Sequence, residues 1–356
     1  MDLKLLDELL AQAGQPGFRS KQVWEWAARG AGSYDEMTNL PAPLRERLAA
    51  DVPLSTLTVE REATARDGTE KALFRTADGR AIEGVLMRYR DGRRSICLSS
   101  QVGCALTCTF CATGRMKFAR NLTESEILDQ ALHFRRKAGA EARPVNGGGT
   151  PPDDIEGRDR KSRRASPVDH AVFMGMGEPL MNLDAVLAAC ERLPDVGITN
   201  RRTAISTVGW IPGIERMTRE GPPVRLALSL HAADEALRSE LMPVNDRYPL
   251  PDVLEACRAW SRARRQPVFV EYLMLEGVND RYAQALALAD VLQPREAFKV
   301  NLIPYNPTDA GLSGSSRAAI DAFRAALEER GLRATVRLTR GRDIAAACGQ
   351  LAAASA

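Results

Sequence analysis

Nothing in this 356-residue sequence approaches the roughly 18 consecutive apolar residues that a membrane span requires. The opening run, MDLKLLDELLAQAG, carries acidic residues where a secretory leader needs basic ones, so a cytoplasmic protein is expected. Strong charge imbalance is also lacking: 49 Lys and Arg against 46 Asp and Glu give +3, which permits a polyanionic partner without demanding one. Coiled-coil heptads and an obvious apolar surface patch are missing, and a monomer is expected. The 7 cysteines are odd in number and carry no sign of secretion, which excludes a structural disulfide framework.

What is present is enough apolar material, 44% of the residues, for one large core and a smaller appended domain. From about Ser95 onward, β-branched runs (ICLSS, HAVFM, TAIST, RLALSL, VFVEYLML, FKVNLIP, ATVRL) alternate with helical patterns. Strands separated by helices read as βα units around a parallel sheet, and their number predicts an α/β fold, an incomplete TIM-like (β/α) barrel. Thr123-Glu124-Ser125-Glu126 has the form of a capping box at the start of the first intervening helix. Ahead of the barrel, helical patterns fill residues 1–55, and alternating strand-like stretches with turns at Asp67-Gly68 and Asp78-Gly79 make a β-hairpin extension over 56–92. The barrel itself spans 93–345. A Gly-, Pro- and Arg-rich stretch at 139–167, nearly free of large apolar residues, is expected to be a flexible surface insertion whose arginines either touch RNA or are simply solvated. Phe18-Arg-Ser-Lys-Gln-Val-Trp-Glu-Trp mixes basic and aromatic residues as an RNA-contacting surface does, although tryptophans at helical spacing also serve packing.

Cys190 and Cys257 lie in apolar helical patterns (VLAACERL, VLEACRAW) and read as buried inert thiols. Cys104-x3-Cys108-x2-Cys111 is different. It follows a strand closely, which places three thiols on one loop at the rim where barrel active sites sit. Three thiolates suit a [4Fe-4S] cube with one iron free to bind a substrate, whereas structural zinc wants a fourth protein ligand and no nearby histidine or cysteine fits the spacing. Zinc completed by a distant histidine is the competing arrangement, and it would make the chain a metal-stabilised RNA-binding module.

The triplet, with an aromatic residue before its last cysteine, resembles the radical-SAM superfamily. The stretches FRSKQVWEWAARGAGSYDEMTNLP, CLSSQVGCALTCTFCATG, FMGMGEPLMN, STVGWIPGI, ALSLHAADE, VNLIPYNP and RGRDIAAACGQL, in this order and over nearly the whole chain, resemble the RlmN/Cfr family of RNA adenine methyltransferases. The resemblance implies that Cys104, Cys108 and Cys111 hold the [4Fe-4S] cluster. It implies that Gly177, Glu178, Ser206, Ser229, Leu230, His231 and Asn306 contact S-adenosylmethionine, two molecules being used per turnover. Cys348 in the last segment, 346–356, matches the cysteine that carries the methyl group, and Cys97 matches its partner in a transient disulfide. Glu83 matches the word around the family's proton acceptor, with one extra residue between it and Cys97 in the RYRDGRR turn.

The implied chemistry answers a difficulty of the target, because aromatic adenine C–H carbons are poor nucleophiles toward a sulfonium methyl group. One SAM methylates Cys348; a second is cleaved to a 5′-deoxyadenosyl radical that abstracts hydrogen from that methyl. The carbon radical adds to adenine, and Cys97 attacks the Cys348 sulfur to free the product. An external electron donor, flavodoxin or a similar reductant, is therefore implied. The resemblance further implies 23S rRNA and tRNA as substrates, with methylation at carbon 2; carbon 8, the Cfr activity, and an activase for another protein are the alternatives. The sequence departs from the family at ATGRMKFARNL, after the cluster motif, and in the 139–167 stretch.

Overall fold

The computed structural model describes residues 1–141 and 167–352; the 139–167 stretch thus falls outside the described residues from 142 to 166, its first three positions continuing a helix. At the N-terminus, α1 (Leu3–Gln12) begins where the Asp2 carboxylate accepts from the Lys4 and Leu5 amides at 3.0 and 3.1 Å. Leu3, Leu6, Leu9 and Leu10 fall on its buried face. The helix α2 (Phe18–Arg29) ends at Gly30, whose φ of 100° is open to glycine without a steric penalty, and α3 (Ala42–Asp51) follows. These helices share one apolar core with the rest of the molecule. Trp24 is buried within it and donates through Nε1 to Asp195 Oδ2 at 2.7 Å, while the Arg192 guanidinium lies 5.3 Å from its ring. That tryptophan is packing; Phe18, 55% exposed, stays on the surface.

Next comes an antiparallel meander of β1 (Leu57–Thr64), β2 (Glu70–Thr76), β3 (Ala81–Arg88) and β4 (Arg94–Cys97), turning at Gly68 and Gly79. It continues directly into the main sheet, because β4 also pairs in parallel with β7 (His170–Phe173). Between them lies a two-stranded ladder of β5 (Gln101–Val102) and β6 (Arg120–Asn121), then α4 (Glu124–Glu141). The capping box forms in both directions: Thr123 N donates to Glu126 Oε2 at 2.9 Å and Glu126 N to Thr123 Oγ1 at 3.2 Å.

Alternation then proceeds through α5 (Leu183–Arg192), β8 (Thr203–Thr207), α6 (Ile211–Glu220), β9 (Arg225–Ser229), α7 (Glu235–Leu241), α8 (Leu250–Arg264), β10 (Val268–Met274), α9 (Tyr282–Val291), β11 (Phe298–Pro304), α10 (Arg317–Glu329) and β12 (Ala334–Val336). Cys190 on α5 and Cys257 on α8 are buried in the core. The strands make one 10-stranded sheet in the order β1-β2-β3-β4-β7-β8-β9-β10-β11-β12, parallel from β4 onward. No ladder joins β12 to β1 among the described residues, so the barrel is incomplete. The segment after β12 runs across to the β1–β2 turn: Gly341 N donates to Asp67 Oδ2 at 3.1 Å, Arg66 N to Asp343 Oδ2 at 3.0 Å, and Lys71 Nζ to Ala345 O at 3.1 Å.

Candidate active site

The cysteine loop is clasped at its base by the β5–β6 ladder, which pairs Val102 with Arg120. Close approach of backbone to backbone keeps it compact. Gly103 has φ +74°, and a Cβ there would lie 2.3 Å from Lys117 O; at Gly114 one would lie 2.7 Å from Cys108 O. Cys108 is buried and Cys104 and Cys111 are partly so, all three as free thiols. In the protein alone, burial pushes Cys104 up to about 12 and Cys108 well above its ordinary range, with the neighbouring cysteines adding to the effect. A bound metal reverses that logic, since a coordinating thiol is deprotonated outright. Among the described residues no three His, Cys, Asp or Glu side chains gather as they would around a single ion. Three thiols spread over one loop, near enough to repel one another as thiolates, fit the separate irons of a cube.

Beside the loop, at the C-terminal ends of the strands, opens a cleft. Cys111, Gly177, Glu178, Ser206, Ser229, His231 and Cys348 all line it. Gly177, at φ +96°, passes so close to Gln101 that a Cβ would meet its side chain at 2.4 Å, and Gln101 Oε1 accepts from Glu178 N at 2.8 Å. The Glu178 carboxyl is buried, which lifts its pKa to about 7. Its oxygens accept from Leu180 N and Val208 N, both at 3.0 Å, bracing the loop after β7 against the end of β8. The Ser206 and Ser229 hydroxyls stand 3.4 Å apart.

His231 has φ +61° and an almost fully buried ring whose Nδ1 accepts from Leu273 N at 3.0 Å. That bond leaves the proton of the neutral ring on Nε2. Burial, reinforced by the Arg238 charge, depresses its pKa to about 3. Leu230 is the exception in this stretch: its side chain belongs to the core, and only its backbone, donating to Glu271 O at 3.0 Å, faces the strand ends.

Cys348 also lines a second cavity, with Cys97, Asn306 and Arg337. Burial pushes the Cys97 thiol up to about 12, with Cys348 contributing, and raises Cys348 as well. Arg337 opposes both shifts. Its Nη1 donates to Glu271 Oε2 at 3.1 Å, and Asn301 Nδ2 holds Glu271 Oε1 at 2.9 Å. Sequence reasoning missed this ion pair; its signal was a charge set inside an otherwise apolar strand, Glu271 in VFVEYLM and Arg337 beside β12.

The segment carrying Cys348 is stitched to the cysteine loop, where Ala112 N donates to Gly349 O at 2.8 Å and Thr113 Oγ1 to Leu351 O. Asn306 Nδ2 reaches Cys348 O at 3.5 Å, and Arg342 Nε donates to Asn306 Oδ1 at 3.1 Å. Glu83 lines neither cavity. It is buried on β3, paired with Lys71 at 2.9 Å, and accepts from Ala352 N at 2.9 Å. Because Val85 is the partner of Cys97 across the strands, Glu83 lies on the same sheet face as Cys97.

Comparison with known proteins identifies relatives over nearly the whole chain. Residues 98–289 match the radical SAM superfamily and residues 1–53 match the ribosomal RNA large subunit methyltransferase N-terminal domain. A probable dual-specificity RNA methyltransferase RlmN of Moorella thermoacetica is 45% identical, over 98% of this chain and 95% of its own. Another, of Chloroflexus aurantiacus, is 44% identical over 99% of this chain and 91% of its own. A crystal structure of a radical SAM methyltransferase from Sphaerobacter thermophilus superposes with a TM-score of 0.87 at 42% identity, covering 99% and 98% of the two chains. The chain belongs to the RlmN family of radical-SAM RNA methyltransferases.

Proposed function

We propose that this protein methylates carbon 2 of an adenosine in 23S rRNA and in tRNA, through a methyl group carried on Cys348 and a transient Cys97–Cys348 disulfide. The observation that carries the reading is the position of Cys348, which alone of the cysteines lines both cavities and faces Cys111 in one and Cys97 in the other. When bound, the cluster held by Cys104, Cys108 and Cys111, together with SAM, supplies the methyl group and one-electron, hydrogen-abstracting chemistry.

Gly177, Ser206, Ser229 and the Nε2–H of His231 offer the polar surface that would hold SAM in the first cleft, and Leu230, whose N–H and C=O are bonded to Glu271 and Ala232, would add only the second lone pair of its carbonyl. Asn306 would act from the second cavity, through its bond to the Cys348 carbonyl. Glu178 accepts from two backbone amides and from the Thr207 side chain, which leaves its carboxylate one further lone-pair site with which to accept from an ammonium group. The thiolate of Cys348, favoured by Arg337, takes the methyl group on sulfur. Once one hydrogen atom of that methyl has been given up to the radical that SAM would supply and its carbon has bonded to the base, the ring proton leaves to Glu83 and the adduct gives up one electron, which the cluster would accept. The Cys97 thiolate then attacks the Cys348 sulfur: an S–S bond forms, the S–CH₂ bond breaks, and the released carbon takes up a proton to complete the methyl group; an external reductant returns the two thiols with two electrons. Glu83 Oε2 accepts from the Ala352 amide, so the end of the Cys348 segment lies against the carboxylate that would take the proton.

The test is anaerobic incubation of the cluster-loaded protein with SAM, a reductant and unmodified rRNA or tRNA, followed by mass spectrometry of the nucleosides. Wild type is expected to yield 2-methyladenosine and Cys348→Ala none. 8-Methyladenosine from wild type would replace the carbon assignment, and full turnover by Cys348→Ala would remove the methyl-carrier role.

A further inference from the structure

Among the described residues Arg238, on α7, is the one arginine wholly inside the protein. Its Nη1 donates to Asn245 Oδ1, and its Nη2 to Val208 O at 2.7 Å. The Nε is equally buried and has no acceptor in the protein, an expensive omission for a charged group. The acids available do not supply one. Glu235 offsets the charge, but its carboxylate is bonded to Asn245 Nδ2 at 2.7 Å.

What lies next to Arg238 is the cysteine loop. Thr109 N donates to Leu241 O at 3.0 Å, and the Thr109 hydroxyl reaches the same carbonyl at 3.4 Å. This fixes the last turn of α7, and with it Arg238, against the bend after Cys108. Cys108 packs there with Leu241, Met242 and Val244 in a cluster separate from the main core. Arg238 lies near enough to Cys108 for the two groups to interact electrostatically.

We propose that the Arg238 Nε–H donates a hydrogen bond to the iron-sulfur cluster on the Cys108 side, and that the buried guanidinium raises the reduction potential of that cluster. A cation in a low-dielectric site favours the redox state with one more electron, and hydrogen bonds to cluster sulfurs act in the same sense. Arg238 is thus a positioning and tuning residue. The inference rests on the reading that Cys104, Cys108 and Cys111 carry a [4Fe-4S] cluster.

The experiment uses full-length protein loaded with iron and sulfide anaerobically. Redox titration followed by EPR compares wild type with Arg238→Gln, and pulsed EPR is recorded on reduced protein labelled with ¹⁵N-arginine. Arg238→Gln is expected to hold as much iron as wild type with a midpoint shifted to more negative potential. Wild type is expected to show a ¹⁵N coupling to the cluster that Arg238→Lys lacks. Equal iron with an unmoved midpoint, or no arginine ¹⁵N coupling in wild type, would overturn the proposal. Should Arg238→Gln fail to take up iron, the ¹⁵N coupling in wild type decides alone. A wild type with no cubane signal would instead sink the cluster reading itself.

Discussion

His231 shows how much a single side chain is asked to do at the strand ends. Its backbone occupies the left-handed region, its Nδ1 is fixed by the Leu273 amide, and its ring edge meets Phe110 with centroids 4.7 Å apart. With its pKa depressed to about 3 from an ordinary 6.5, the folded protein keeps this ring neutral where the unfolded chain takes up a proton. The stability it contributes is therefore complete above pH 6.5 and is lost as pH falls toward 3, at about 1.4 kcal/mol per pH unit. His231→Asn keeps an acceptor near the Nδ1 position and tolerates the left-handed backbone, but it cannot titrate. Urea unfolding of the cluster-free protein between pH 6.5 and 4.5 should show the variant losing less stability than wild type, by about 2 kcal/mol over the interval. Glu178, raised to about 7, titrates in the opposite sense and cancels in the comparison. Parallel pH dependences in the two proteins would contradict the assignment.

At the scale of elements, glycines with positive φ differ in kind. Gly79, between β2 and β3, has φ +77° with nothing within 4 Å of a built Cβ, so Gly79→Ala meets only backbone strain, about 1–2 kcal/mol. Gly103 adds a collision with the Lys117 carbonyl that no side-chain rotation relieves. Gly103→Ala is expected to lose most iron uptake on reconstitution and Gly79→Ala to retain it, as iron per chain will show. Such local rules were legible in the sequence: the strand words, the Thr123–Glu126 capping box, the turn glycines and the cysteine spacing all act over a few residues. The partners of Glu83 were not, because Lys71 comes from the neighbouring strand and Ala352 from 269 positions away. Nor was the Glu271–Arg337 pair, which exists only once β10 and β12 flank β11 in the sheet.

For the whole molecule, the shared core decides how the N-terminal helices can be tested. Removing residues 1–50 would strip Leu6, Val23, Trp24 and Leu48 from the common core and leave the Asp195 carboxylate without its indole donor, so loss of activity after deletion would report unfolding. Surface changes are cleaner. Phe18 is exposed with the Arg19 guanidinium 5.1 Å from its ring, and Lys21 is exposed one position beyond Ser20. Phe18→Ala with Lys21→Ala is expected to weaken RNA binding several-fold while SAM cleavage and thermal midpoint stay near wild type; unchanged binding by filter or gel-shift assay would remove this face from the RNA interface. The segment that carries Cys348 is moored to the cysteine loop through Ala112 and Thr113. Both moorings are ordinary hydrogen bonds, and they hold the Cys348 segment to the loop while all of its thiols are free. Whatever shifts the loop therefore shifts the end of the chain with it, so that a disturbance at either is felt at the other.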